Sequence, residues 1–257
     1  MKQQIMATAK KILPLDVRNA LMRFGFNVAR DEFDRFAYQH AFAPNMGMAL
    51  ADAKARGLNP RTIIDIGAFE GDWARMAAAT WPGAKITMVE ANDEKRELLT
   101  LVAGEIGADL RFALLGAEDG REVTFHVMES GSSVFEEESD YDRRKVIRHT
   151  AKLDTLLADL PAADFIKLDT QGYELEILTG ADRLLSSASA VLMEASLIQI
   201  NEGAPLLHDV LAFMKERGFV TYEIAEIHRR QLDRAMNQID ILFVRETSPL
   251  LASKSFT

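Results

Sequence analysis

The chain has 257 residues, 48% of them apolar, which is enough for one large α/β core with an extra segment at one end. It has no cysteine, so disulfides, thiolate nucleophiles and Cys-ligated zinc or iron–sulfur sites are excluded, as suits a reducing cytoplasm. A formal charge of −9 argues against general nucleic-acid binding, and no apolar run reaches the roughly 18 residues of a membrane span or forms a signal-peptide core after Lys2, so the expectation is a soluble, cytoplasmic protein.

Residues 1–45 read as an N-terminal helical extension and 46–257 as the main domain. The first thirty residues carry Lys2, Lys10, Lys11, Arg18, Arg23 and Arg30 against Asp16, with Ile5, Ile12, Leu13, Leu21 and Met22 interleaved. Such a segment either lies on an anionic membrane or a partner protein, or packs on the domain as a basic solvated helix pair. The lack of a sustained amphipathic stripe favours the second.

From Met46 a helix runs to Gly57, with Pro60 just beyond. Apolar strands and helical patterns then alternate, the signature of a mostly parallel sheet with helices on both faces. Strands are predicted at Thr62–Ile66, Lys85–Glu90, Asp109–Leu115, Phe165–Asp169 and Ala190–Glu194. Between them lie helices at Trp73–Thr80, at about Asp93–Gly104 and from about Tyr173. The third strand is expected to continue into an added hairpin through Glu122–Val127, and Ser130–His149 reads as a long polar loop of the kind that forms lids. A helix over Pro205–Arg217 and two late strands, Phe219–Ile224 and Ile239–Arg245, complete a seven-stranded sheet with one antiparallel member.

The turn after the first strand carries the chemistry. Ile64-Asp65-Ile66-Gly67-Ala68-Phe69-Glu70-Gly71 breaks from strand to helix through glycines, and Glu90 ends the second strand, where a doubly wound sheet meets the two hydroxyls of a ribose. A dinucleotide site needs a middle glycine to approach the pyrophosphate, and Phe69 stands there instead. The turn therefore suits an adenosine cofactor without phosphates, whose amino-acid carboxylate faces the helix N-terminus. S-adenosylmethionine is such a molecule, and Asp65 is placed to receive its ammonium.

Several blocks together resemble the FkbM-type S-adenosylmethionine-dependent methyltransferases. They are Ile64-Asp65-Ile66-Gly67-Ala68 with Gly71, Val89-Glu90-Ala91-Asn92, Leu153-Asp154, the long run from Lys167 to Ala181, Glu194, and Asp240-Ile241-Leu242-Phe243-Val244. The resemblance covers about residues 46–246, leaving 1–45 outside it. Ala91 stands where the family often has proline and Gln171 where many members have glutamate, so no mechanism is built on a carboxylate at 171. The resemblance implies a class I, Rossmann-like methyltransferase fold and transfer of a methyl group to a hydroxyl of a sugar or other secondary metabolite, leaving S-adenosylhomocysteine. It implies cofactor contacts at Asp65, Gly67, Ala68, Phe69, Gly71, Glu90, Ala91 and Asp169, with Ala117 and Glu118 after the third strand as the adenine partners.

Methyl transfer to a hydroxyl needs alignment, exclusion of water and a base. Asp169 and Glu194, at the tips of the fourth and fifth strands, are the candidates, with His149 beside the predicted lid as a third. Lys167 shares a strand face with Asp169 and interrupts an apolar run, so it needs a partner, which can be Asp169, Glu174 or Glu194. Asp169 and Glu194 can also hold a magnesium ion, although no third acidic ligand announces itself and no metal is favoured. His40, His126, His208 and His228 have no sequence context that separates ligand from surface. Two other readings compete: a nicotinamide-dependent oxidoreductase, and a cofactor-binding scaffold without catalysis.

Overall fold

The computed structural model describes residues 17, 20, 24–25, 29–39, 44–127, 133–135, 144–253 and 255. Of the predicted N-terminal extension it shows helix α1 (Arg30–Gln39); most of the basic segment, His40, and Ser130, Gly131, Glu136, Glu137, Glu138 and Arg143 of the predicted lid lie outside the described residues. No helix among the described residues is long and apolar enough to cross a membrane.

β1 (Thr62–Ile66) forms because its β-branched residues can be buried on both sides of a parallel sheet: Ile63 enters one core cluster, Ile64 and Ile66 the other. It pairs in parallel with β2 (Lys85–Glu90) and with β7 (Phe165–Leu168). Outward from these lie β3 (Asp109–Phe112) on one side and β8 (Ala190–Ser196), β10 (Met236–Arg245) and β9 (Phe219–Arg229) on the other, in the order β3-β2-β1-β7-β8-β10-β9. β10 runs antiparallel to both of its neighbours. This is the seven-stranded, mostly parallel α/β architecture expected, with its late antiparallel strand.

The two faces are covered separately. On one, α2 (Met46–Ala55), α3 (Asp72–Thr80) and α4 (Arg96–Ile106) bury Leu50, Ala53, Ala74, Ala77, Leu99 and Val102 against Ile63, Met88, Leu192 and Leu242. On the other, α5 (Leu153–Leu156), α6 (Glu174–Thr179), α7 (Asp182–Ser187) and α8 (Leu207–Glu216) bury Leu153, Leu178, Leu184 and Met214 against Ile64, Leu168, Val191 and Phe243. At Gly71, the left-handed residue that starts α3, a Cβ would lie 2.7 Å from Val102 Cγ1, so this glycine lets α3 and α4 approach closely.

The region between β3 and β7 departs from the sequence reading. β3 does not continue into a hairpin: β4 (Leu114–Leu115), β5 (Glu122–Val127) and β6 (Arg144–Ala151) form a separate three-stranded sheet in the order β4-β6-β5. The last six residues of the predicted loop, from Arg144 on, are thus part of a strand antiparallel to β5. Its alternation was hidden because the half-buried side carries Arg148 next to Val146, while Ile147 and His149 point outward. Arg148 can face inward because Asp93 Oδ2 sits 2.6 Å from Nη1 and Ala91 O accepts from Nη2 at 2.8 Å. With the Arg144–Glu94 pair at 2.6 Å, these contacts tie the small sheet to the segment that follows β2.

Candidate functional site

β2 and β7 lie on opposite sides of β1 and their chain connections leave in opposite directions, which opens a crevice at the carboxyl ends of these strands. A cavity of about 240 Å³ occupies it. Gly67, Phe69, Glu90, Ala91 and Asp169, all expected from sequence, line it. Asn92, Ala113, Leu114, Ser133, Gln171 and Tyr173, none of them named as a site residue from sequence, line it too. Ser133 arrives from the separate sheet, through its bridge to His126, and no sequence-local pattern marks it.

Gly67 has φ +73, and a Cβ there would lie 1.9 Å from the carbonyl oxygen of Asp169. The glycine is thus required first by the approach of the β1 and β7 exits. Phe69 also takes a left-handed conformation (φ 51), which aims its N–H at Glu90 Oε2 (2.8 Å), and its ring carries the Lys95 ammonium 3.9 Å from its centroid. Asn92 N donates to the other Glu90 oxygen at 2.7 Å. Glu90 is therefore held by one backbone N–H on each oxygen, at the cavity wall, with its remaining lone pairs available to a pair of vicinal hydroxyls. Burial raises its carboxyl above the usual range, and the N–H groups of Asn92 and Phe69 offset part of that.

Five expected cofactor residues lie outside the lining, among them Gly71, which packs against Val102 at the start of α3. Asp65 is fully buried behind the turn and faces the Lys167 ammonium at 3.2 Å, so it does not reach the cavity to meet an ammonium of a ligand. Ala68 is buried and outside the lining; its carbonyl accepts from Gly71 N at 2.7 Å. Ala117 and Glu118 are also outside, because Gly116 N binds Ala151 O and Thr150 Oγ1 binds Glu118 O (2.6 Å), which turns this segment toward β6. The apolar wall is instead made of Ala113, Leu114, Leu115, Phe125 and Val134.

Lys167 is a buried cation behind the cavity lining. Its ammonium donates to Gly67 O at 3.0 Å and lies 3.2 Å from Asp65 and 3.8 Å from Asp169. Burial disfavours its charge, but the Asp65 and Asp169 carboxylates outweigh this and hold the ammonium above its ordinary value. Glu174 is not its partner: it accepts from Thr170 N (2.7 Å) and Gly172 N (3.2 Å) and ties up the turn before α6.

Asp169 is the candidate base that reaches the cavity. Its side chain is 42% exposed and accepts from Gln171 Nε2 at 3.1 Å. Gln171, with φ 56 and its carbonyl held by Ser133 Oγ and Asn201 Nδ2, is fixed in the strained turn that presents it. Glu194 is buried outside the lining and accepts from Gln238 Nε2 at 2.5 Å. Burial, with the charges of Asp169, Glu174 and Asp240, raises its carboxyl well above the usual range. His149 does not belong to the site: its side chain is 65% exposed on β6, 3.9 Å from Glu122.

The chain matches the family model described as the methyltransferase FkbM domain over residues 65–221. No curated protein sequence matches it. Among solved structures it is similar to a precorrin-6Y C5,15-methyltransferase from Geobacter metallireducens GS-15, with 16% identity over 77% of this chain and 86% of that one and a TM-score of 0.45. It is also similar to a ribosomal protein L11 methylase from Lactobacillus delbrueckii subsp. bulgaricus, with 16% identity over 78% and 76% and a TM-score of 0.41. A third is the N-terminal domain of EvdMO1, solved with SAH and D-fucose, with 15% identity over 78% and 83% and a TM-score of 0.44.

Proposed function

Because the chain belongs to the FkbM methyltransferase family, we propose that it transfers a methyl group from S-adenosylmethionine to a hydroxyl oxygen of a small acceptor such as a sugar or secondary metabolite. The observation that carries the donor is Glu90, a cavity-lining carboxylate with both oxygens anchored by backbone N–H groups and lone pairs left for a ribose diol. The left-handed Phe69 beside it fills the place where a diphosphate would need a bare backbone, which disfavours the nicotinamide reading. The donor would be held by Glu90, the Gly67–Phe69 turn and the apolar wall, and it supplies an electrophilic methyl group.

The protein's own part is then alignment and proton transfer. Asp169, oriented by Gln171 and Lys167, is the second carboxylate lining the cavity, and we assign it to position the acceptor hydroxyl and take its proton. S-adenosylhomocysteine raising the melting temperature while NAD and NADP do not is the expected outcome; the reverse pattern overturns the donor assignment. A mass-spectrometric screen of hydroxylated acceptors for the gain of one methyl then identifies the substrate. On that acceptor Asp169→Asn is expected to lower turnover roughly a hundredfold or more at unchanged donor affinity. Near-normal turnover removes the base role from Asp169.

A further inference from the structure

The register of β8, β10 and β9 assembles a polar group that the sequence does not show as one. Glu194 is the partner of Asp240 across β8–β10, and Asp240 is the partner of Glu226 across β10–β9. Paired residues share a sheet face, so the three carboxylates form a row, and His228 and Gln238, two residues along their strands and paired with each other, lie on the same face. Asp169, just beyond the Leu168–Met193 pair of β7 and β8, extends the row toward the cavity.

Within this row one ligand atom each from Glu226, His228 and Asp240 lies within 4.8 Å of the others. His228 Nε2 is 2.7 Å from Asp240 Oδ2, and Asp240 is only 8% exposed. Two carboxylates and one imidazole that close can converge on one ion at the usual distances of about 2.0–2.2 Å. A second observation comes from Glu194, which is also only 8% exposed. Its hydrogen-bond partner is the neutral Gln238, and among the described residues no Lys, Arg or His forms an ion pair with it within 4 Å. Three carboxylates and one imidazole thus share one sheet face, two of the carboxylates buried, and buried charges in folded proteins are paired or coordinate metals.

We propose that Glu226, His228 and Asp240 form a divalent cation site, with Glu194 beside it, on the sheet face that leads from β9 to Asp169. The imidazole favours Mn²⁺, Zn²⁺ or Fe²⁺ over Mg²⁺ or Ca²⁺, which prefer all-oxygen shells. This set differs from the Asp169–Glu194 pair considered from sequence, and unlike that pair it has three ligands of its own. The neighbouring strands are about 4.8 Å apart, so the ion would lie roughly two strands, or about 10 Å, from Asp169. That spacing lets it hold the far end of a hydroxylated acceptor whose reacting oxygen meets Asp169. This use of the ion rests on the O-methylation reading; its binding does not.

Calorimetry with MnCl₂ on the tag-free, chelator-stripped full chain, with S-adenosylhomocysteine present and no acceptor, tests the site. One ion per chain is expected, bound at least about tenfold more weakly by His228→Gln and by Glu226→Gln and within twofold of wild type by Asp169→Asn. Absence of saturable binding to the wild type, or equal affinity in all variants, overturns the proposal. The S-adenosylhomocysteine thermal shift, read on the same samples, shows that each variant is folded; its loss in the wild type would count against the donor reading alone. Glu226 lies on the edge strand and is half-buried, so Glu226→Gln keeps the test valid if His228→Gln does not fold.

Discussion

At the β1–β2 end of the crevice a single carboxylate, Glu90, faces the cavity, and two backbone N–H groups from its own loops hold it. At the β8–β10–β9 end, Glu194, Asp240, Glu226 and His228 crowd one sheet face, and most of their partners are one another. The first end recognises by backbone shape and tolerates little variation in geometry. The second stores charge, and charge can be compensated by a proton, a cation or a ligand. Lys167 stands between them: it donates to Gly67 O on the first side and pairs with Asp65 and Asp169. A methyltransferase needs this division, because the donor is constant while the acceptor must bring or meet specific polar groups.

The largest expected effect is at that junction. Lys167→Met leaves the fully buried Asp65 without its counter-charge, and unfolding in urea should show a loss of about 3–5 kcal/mol. The double variant Asp65→Leu with Lys167→Met should recover much of it; a single-variant loss below about 1 kcal/mol would mean that the two ends are not joined through this pair. Gly67→Ala comes next, at about 2–4 kcal/mol, because its Cβ would collide with Asp169 O, which is backbone, and its φ of +73 is strained for alanine. A stability within about 0.5 kcal/mol of wild type would show that the β1 and β7 exits are looser than this contact requires. Glu90→Gln acts on binding, weakening S-adenosylhomocysteine by about 1–3 kcal/mol in calorimetry with little change in melting. Unchanged affinity would break the ribose assignment.

The same contrast explains what could be read in the sequence. The β1 turn and Glu90 are local: strand, glycine and acid recur at a spacing that the parallel sheet imposes, so Gly67, Phe69, Glu90 and Ala91 could be named from it, and all four line the cavity. Asp65 belongs to the same motif but lies outside the lining, because its direction is decided by Lys167, 102 residues later, through the β1–β7 register. Ala117 and Glu118 lie outside the lining for a related reason: their turn is pulled toward Thr150 and Ala151 of β6, a strand disguised by a half-buried arginine and an exposed isoleucine. The row of Glu194, Asp240, Glu226 and His228 was invisible because it exists only across two strand pairings, one of them interrupted by bulges. Local patterns show where a backbone turns, whereas registers decide which charges meet.

The smallest effect probes how the charged end balances itself. Burial first, then the charges of Asp169, Glu174 and Asp240, raises the Glu194 carboxyl well above its ordinary value, so the folded protein holds this proton more tightly than the unfolded chain. A group raised in this way contributes stability that is fully present below the ordinary glutamate value and is lost as pH rises through the folded value. Glu194→Gln keeps an acceptor for Gln238 but cannot ionise. In chelator, wild type should therefore lose stability relative to Glu194→Gln as pH is raised from about 4 toward about 8, with the gap flat only at the acid end. Added Mn²⁺ should flatten the slope, since a bound cation favours the ionised carboxylate and substitutes for the proton. A gap independent of pH in chelator would show that water or rearrangement already relieves the row, and that its charge is not stored.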